Sequence, residues 1–96
     1  PILVFAPSPH DPRLAEQLAR FEAAEAALAE RRNTVIVDTE PGSALRRRFE
    51  PGEFTVILVG LDGGEKFRRN GLVAVGTLNA RIDAMPMRRR ELREGG

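Results

Sequence analysis

The sequence predicts an α/β fold: a four-stranded mixed sheet with helices on both faces, in the order β-α-β-α-β-β-α. Three observations carry this expectation. Ile2–Ala6 and Val56–Val59 are continuous apolar runs, the pattern of central strands covered on both faces. A long Ala-, Glu-, Leu- and Arg-rich stretch with helical spacing separates the first strand from the β-branched segment Thr34–Asp38. Asp62-Gly63-Gly64 then reads as a hairpin turn between two further strands.

The first strand ends in Pro7-Ser8-Pro9-His10-Asp11-Pro12, where the prolines remove backbone donors and fix φ. Asp11 is placed as an N-cap and Pro12 at the first helical position, the favoured site for proline. The helix is expected to run to about Arg32, with Leu14, Leu18, Phe21 and Leu28 on one face and Ala24 filling the gap. Glu16 and Arg20 fall at i,i+4 on the wet side. After a turn at Asn33, Thr34–Asp38 forms the second strand. A strand–helix–strand crossover implies parallel pairing.

Pro41-Gly42-Ser43 stops that strand, and Ser43 caps a short helix over about Ala44–Phe49. Pro51-Gly52 ends it before the third strand, Phe54–Gly60. Glu65–Arg69 returns antiparallel as a charged edge strand, a composition that suits an exposed edge. Thr77 is placed as the cap of a last helix with Leu78, Ile82 and Met85 facing inward. Pro86 ends that helix, and residues 87–96 form a basic tail to a single domain spanning residues 1–96.

Composition bounds the function. A chain of 96 residues, 42% hydrophobic and 30% charged, supports one modest core and is neither disordered nor membrane-spanning in type. Fifteen basic residues against 14 acidic give a net charge of +1, so the large basic excess of a nucleic-acid binder is missing and nucleic acid is disfavoured as a partner. Arginine supplies 14 of the 15 cations, which with the alanine richness fits a GC-rich bacterial genome. There is no cysteine, so disulfides, thiolate metal sites and thiol–disulfide exchange are all excluded. Pro1 rather than Met stands first, as expected if an upstream segment has been removed.

The aromatic-led end of the first strand, the loop Pro7–Pro12, the hairpin and the closing helix resemble a minimal thioredoxin-like domain. The segments Leu3–Gln17, Leu45–Arg68 and Ile82–Glu94, above all Asp83-Ala84-Met85-Pro86-Met87-Arg88-Arg89-Arg90-Glu91, resemble DUF4174, a cysteine-poor thioredoxin-like family. Related domains of animals, called DUDES domains, occur in extracellular-matrix and sushi-repeat proteins. The resemblance covers nearly the whole chain. It implies a redox-inactive thioredoxin-like fold and a periplasmic or extracellular setting, and it supplies no catalytic residues. Thioredoxins place a cis-proline just before the third strand. Here Pro51 stands a few residues early, so no such bond is expected.

Two groups of side chains are candidates for ligand binding. Ser8, His10, Asp11 and Arg13 surround the first helix N-terminus, whose unpaired N–H groups and partial positive charge favour anions. Against this, Asp11 caps the same end. Arg46, Arg47, Arg48 and Arg88, Arg89, Arg90 are the candidates for polyanion binding. Three consecutive helical residues fan over about 200°, so neither triplet forms one flat patch. Phe5, Phe21, Phe49 and Phe54 fit core positions and only Phe67 is expected in the open, so the stacking platform of a single-strand binder is missing.

Asp38 and Glu40 are expected at the same sheet end as Ser8–Asp11. No nucleophile-and-base pair, cofactor motif or metal-ligand spacing is discernible. Met85-Pro86-Met87 reads as core filling and structural anchoring. The expected role is a binding or interaction domain whose partner is a protein or an anionic ligand. The alternatives are a cysteine-independent enzyme using the Ser8–Arg13 loop and a structural domain dimerising through the edge strand Glu65–Arg69.

Overall fold

The computed structural model describes residues 1–85. The elements are β1 (Ile2–Phe5), α1 (Pro12–Ala23), α2 (Glu25–Glu30), β2 (Val35–Asp38), α3 (Ala44–Phe49), β3 (Thr55–Val59), β4 (Glu65–Asn70) and α4 (Val75–Asp83). The strands form one open mixed sheet in the order β2-β1-β3-β4. β1 runs parallel to β2 and antiparallel to β3, and β4 returns antiparallel to β3. The two apolar runs therefore occupy the centre, and β2 and β4 are the edges.

Alternation along β1 and β3 divides the interior into two layers. Ile2, Val4, Ala6, Val56 and Leu58 face Leu14, Phe21, Leu28, Leu78 and Ile82 of α1, α2 and α4. Leu3, Phe5, Ile57 and Val59 face the short α3 through Phe49 and Leu45. Burying each of these large side chains contributes roughly 1.5–3 kcal/mol. The second layer is thin, because a six-residue helix is its only helical cover among the described residues.

Asp11 caps α1 through its carboxylate with Pro12 in the first turn, and Ser43 caps α3 through its hydroxyl, as the sequence predicts. The crossover helix, however, comes in two pieces. Ala24 leaves helical geometry (φ −114°, ψ 22°), and its N–H bonds back to Phe21 and Glu22. Phe21 and Leu28, on either side of the break, both reach the core. The final helix begins earlier than Thr77 suggested: Ala74 precedes it in extended conformation and gives no side-chain cap. The cause is a buried residue that hydrophobic patterning misses. Gln17 is fully buried on α1, and its amide both donates to the Val73 carbonyl (3.0 Å) and accepts from the Val73 N–H (2.9 Å). That clamp fixes the chain just before α4.

The hairpin turns at Gly63, whose φ of +81° explains glycine there. β4 pairs in register from Thr55↔Asn70 to Leu58↔Phe67, then skips Lys66 in a bulge. Phe67 is half-buried against the larger core layer and not open as expected, and Arg69 and Arg81 lie over its ring at 5.5 and 5.6 Å. The described peptide bonds are all trans, Pro51 included. No helix among the described residues is long and apolar enough to cross a membrane.

Candidate functional site

The loop after β1, the N-terminus of α1 and the chain entering β3 meet at one end of the sheet, and Ser8, His10, Asp11 and Arg13 lie there together. Ser8 Oγ accepts the His10 backbone N–H at 3.1 Å, so the contact between these residues is a turn and not a nucleophile–base pair. Asp11 Oδ1 accepts the Arg13 backbone N–H (2.8 Å) and Nε (3.0 Å), while Oδ2 accepts Arg13 Nη2 (2.7 Å). The same Nη2 donates to Glu53 Oε1 (2.9 Å), and the guanidinium lies 5.2 Å over the buried Phe54 ring. Glu53 was not foreseen. Its signal is topological: β3 runs antiparallel to β1, so the residue before Phe54 arrives beside this loop.

The Arg13 guanidinium holds the Asp11 carboxyl below its ordinary value, and Asp11 in turn raises Arg13. The Arg68 side chain likewise lowers Glu65, while the Gly64 N–H, then Lys66, lower Asp62. A carboxyl whose folded pKa is depressed contributes stability above its unfolded value, near 4. That contribution is lost as pH falls through the lower folded value. Asp11→Asn keeps a good cap and removes the titration. The variant is expected to have a lower urea midpoint at pH 7 and a shallower loss of stability below about pH 4. Urea melts across that range check it.

The first arginine triplet fans out as helical geometry requires. Arg46 reaches the ends of β1 and β2: its Nε donates to Glu40 O (3.0 Å), and its Nη2 donates to Asp38 O (3.1 Å) and to Ala6 O. It also lies 5.6 Å over the Phe5 ring. Arg47 donates back to Gly42 O (2.8 Å). Arg48 donates to Gly63 O in the hairpin and covers Phe49 at 4.8 Å. Arg88, Arg89 and Arg90 lie outside the described residues, as do Pro86 and Met87.

Asp38 and Glu40 do emerge at this sheet end, since Phe5 and Asp38 are register partners. The Asp38 carboxylate is used internally: it accepts the Ser43 hydroxyl and the Glu40 N–H (3.0 Å) and lies 3.6 Å from Arg46 Nε. Across the sheet, Arg68 on β4 donates to the α3 carbonyls of Phe49 and Glu50, supplying partners that a helix C-terminus lacks. Arg31, at the end of α2, grips Asp83 of α4 through two bonds of 3.0 and 2.9 Å. No cluster of three or more His, Asp and Glu able to hold a metal occurs among the described residues.

The two sheet edges differ. β4 presents Glu65, Lys66, Arg68 and Arg69 and carries the bulge. β2 presents Val35, Ile36 and Val37, with Ile36 43% and Val37 41% exposed. The sequence pattern identified this strand but did not mark it as an open edge.

A search of curated proteins and of solved structures found no match to the chain. The profile of a family described as a domain of unknown function, DUF4174, matches residues 1–91. With that match over nearly its whole length, the chain belongs to the DUF4174 family.

Proposed function

We propose that the chain is a protein-interaction domain on a thioredoxin-like scaffold without thiol chemistry, taking up an extended segment of a partner along the edge of β2. One observation carries the reading: Ile36 and Val37, adjacent and on opposite faces of an edge strand, both stand open to solvent. Edge strands are normally blunted by charges, bulges or a covering element. β4 has the first two of these, and Val35–Val37 has neither. Strand addition uses just such an edge, with main-chain bonds for affinity and alternate side chains for specificity. The strand order, with β1 parallel to β2 and antiparallel to β3, supports the thioredoxin-like assignment. The absence of cysteine removes disulfide exchange.

An anion at the α1 N-terminus would have to displace the Asp11 carboxylate from Arg13. A polyanion at Arg46, Arg47 and Arg48 would have to compete with the backbone carbonyls these side chains serve. Both alternatives are separable by two-dimensional amide NMR. A soluble peptide of alternating valine and threonine, inorganic phosphate and heparin fragments would be titrated separately. The peptide is expected to shift the amides of Val35 and Val37 and slow their hydrogen exchange. Phosphate shifts confined to Ser8–Arg13, or heparin shifts confined to Arg46–Arg48, with β2 silent throughout, would overturn the proposal.

A further inference from the structure

Building on that reading, we infer that the segment received by β2 is the β2 strand of a second copy, paired antiparallel about Ile36. The argument starts from the backbone. Ile2 N–H bonds to Thr34 O (2.7 Å) and Ala6 N–H to Asp38 O (3.1 Å), so residues 34, 36 and 38 turn their backbone groups toward β1. Alternation then turns the N–H and C=O of Val35 and Val37 outward. An antiparallel pair with a two-fold axis perpendicular to the sheet at Ile36 sets Val35 of one copy opposite Val37 of the other. These form hydrogen-bonded pairs, and the outward groups of both residues are satisfied.

The side chains fit the same axis. Val35-Ile36-Val37 reads identically in both directions, so the two-fold places like with like. Ile36 meets Ile36 across a non-hydrogen-bonded position, where side chains approach most closely, on the thinly covered α3 face. Val37, which is exposed, meets Val35 on the opposite face, where Val35 already packs on the larger core layer. The flanks are complementary in charge. Arg32 precedes the strand and Glu40 follows it, so an antiparallel pair directs the basic end of one copy toward the acidic end of the other. A parallel arrangement would set Arg32 against Arg32 and Glu40 against Glu40. Such a two-fold contact is isologous, and it joins both sheets into one.

A contact of one short strand pair buries far less than the roughly 1,200 Å² of a standard interface, so its dissociation constant is expected on the order of 0.1 mM. Sedimentation equilibrium of the whole chain from about 10 µM to 1 mM spans that range. Wild type should pass from monomer to dimer, and Ile36→Lys, which puts like charges at the axis, should weaken association at least about tenfold. Because the chain has no cysteine, Ile36→Cys introduces its only thiol. Under mild oxidation by diamide, Ile36→Cys should form a disulfide-linked dimer at least about tenfold faster than Leu61→Cys, since cross-strand neighbours lie within disulfide reach. Leu61, at the hairpin tip and 82% exposed, reports chance collision.

Monomeric wild type at every concentration, equal cross-linking at both positions, or dimers indifferent to Ile36→Lys would each overturn the inference. Should wild type stay monomeric while the valine–threonine peptide still protects Val35 and Val37, only the self-pairing fails and the interaction reading stands. Silence in both experiments removes both.

Discussion

Gln17→Ala is expected to lower the stability of the domain by about 3 kcal/mol, the sum of two lost hydrogen bonds, the unpaired groups left behind and the missing methylene packing. The domain's whole stability should be on the order of 5–15 kcal/mol, so this single change consumes a large share. At roughly 4–8 °C per kcal/mol for a domain of this size, the melting temperature should fall by about 15 °C. The effect is large because the Gln17 amide is fully buried and serves both polar groups of Val73 at once. Removing it leaves a donor and an acceptor unpaired in the core.

Two companion variants separate the causes. Gln17→Leu restores most of the volume without the bonds, so whatever destabilisation remains reports the polar clamp alone. Gln17→Glu is more telling. As a carboxylate it accepts from the Val73 N–H but repels the Val73 carbonyl and carries a buried charge. Once protonated, it can donate to that carbonyl and match glutamine. Its folded pKa should therefore lie above its unfolded value, near 4.3. The folded state then binds more protons than the unfolded one, and stability declines as pH rises from 4 to 7. Wild type should move the other way at the acidic end, as Asp11, Asp62 and Glu65 lose their charge. Urea melts at about pH 2.5, 4 and 7 check both trends, the Gln17→Glu trend between the upper two and the wild-type trend between the lower two.

The second large effect is expected at Arg46. Arg46→Ala should cost about 2–3 kcal/mol, because one guanidinium serves the carbonyls of Ala6, Asp38 and Glu40, and bonds to a charged donor are stronger than neutral ones. Arg46→Lys should recover less than half, since an ammonium cannot span three acceptors that a planar fork reaches together. The local readout is the Ala6 amide, whose bond to Asp38 O closes the β1–β2 pair. Its hydrogen exchange should accelerate in both variants well before the β3–β4 ladder loosens.

Much of the fold was legible in the residues. The continuous apolar runs marked the strands that the sheet buries, Asp11 and Ser43 marked helix starts, and Asp62-Gly63-Gly64 marked the hairpin. Most of what was not legible depends on contacts between distant segments, and the helix break does not. The break at Ala24 falls among good helix formers, with no glycine or proline to announce it. Nothing in the local sequence marks Gln17 for burial, because the groups it serves sit at Val73. Phe67 looked exposed on a charged strand, yet Arg69 and Arg81 supply its cover.

The candidate site was read in the same partial way. The loop Ser8–Arg13 and its neighbours Asp38 and Glu40 do gather at one end of the sheet, but Glu53 enters from a segment that only the antiparallel run of β3 brings near. Arg46, Arg47 and Arg48 were expected to diverge, and they do. That each is spent on a backbone carbonyl is a fact of tertiary structure. The openness of β2 depends on strand order, and no composition or periodicity encodes it.

The bulge at Lys66 has a bearing on growth as well as on shape. A sheet with two receptive edges can add units without limit, each copy offering one edge to the copy before it and another to the copy after, which is the route to fibres. Here the skipped residue and the charges around it make β4 a poor template, and a two-fold pair at β2 uses up the remaining edge on both copies. Assembly by the proposed route would terminate at a pair, so self-association through β2 would stay finite even when the chain is concentrated. A sequence change that flattened the bulge would remove the stop, and filaments rather than larger closed oligomers would be the product.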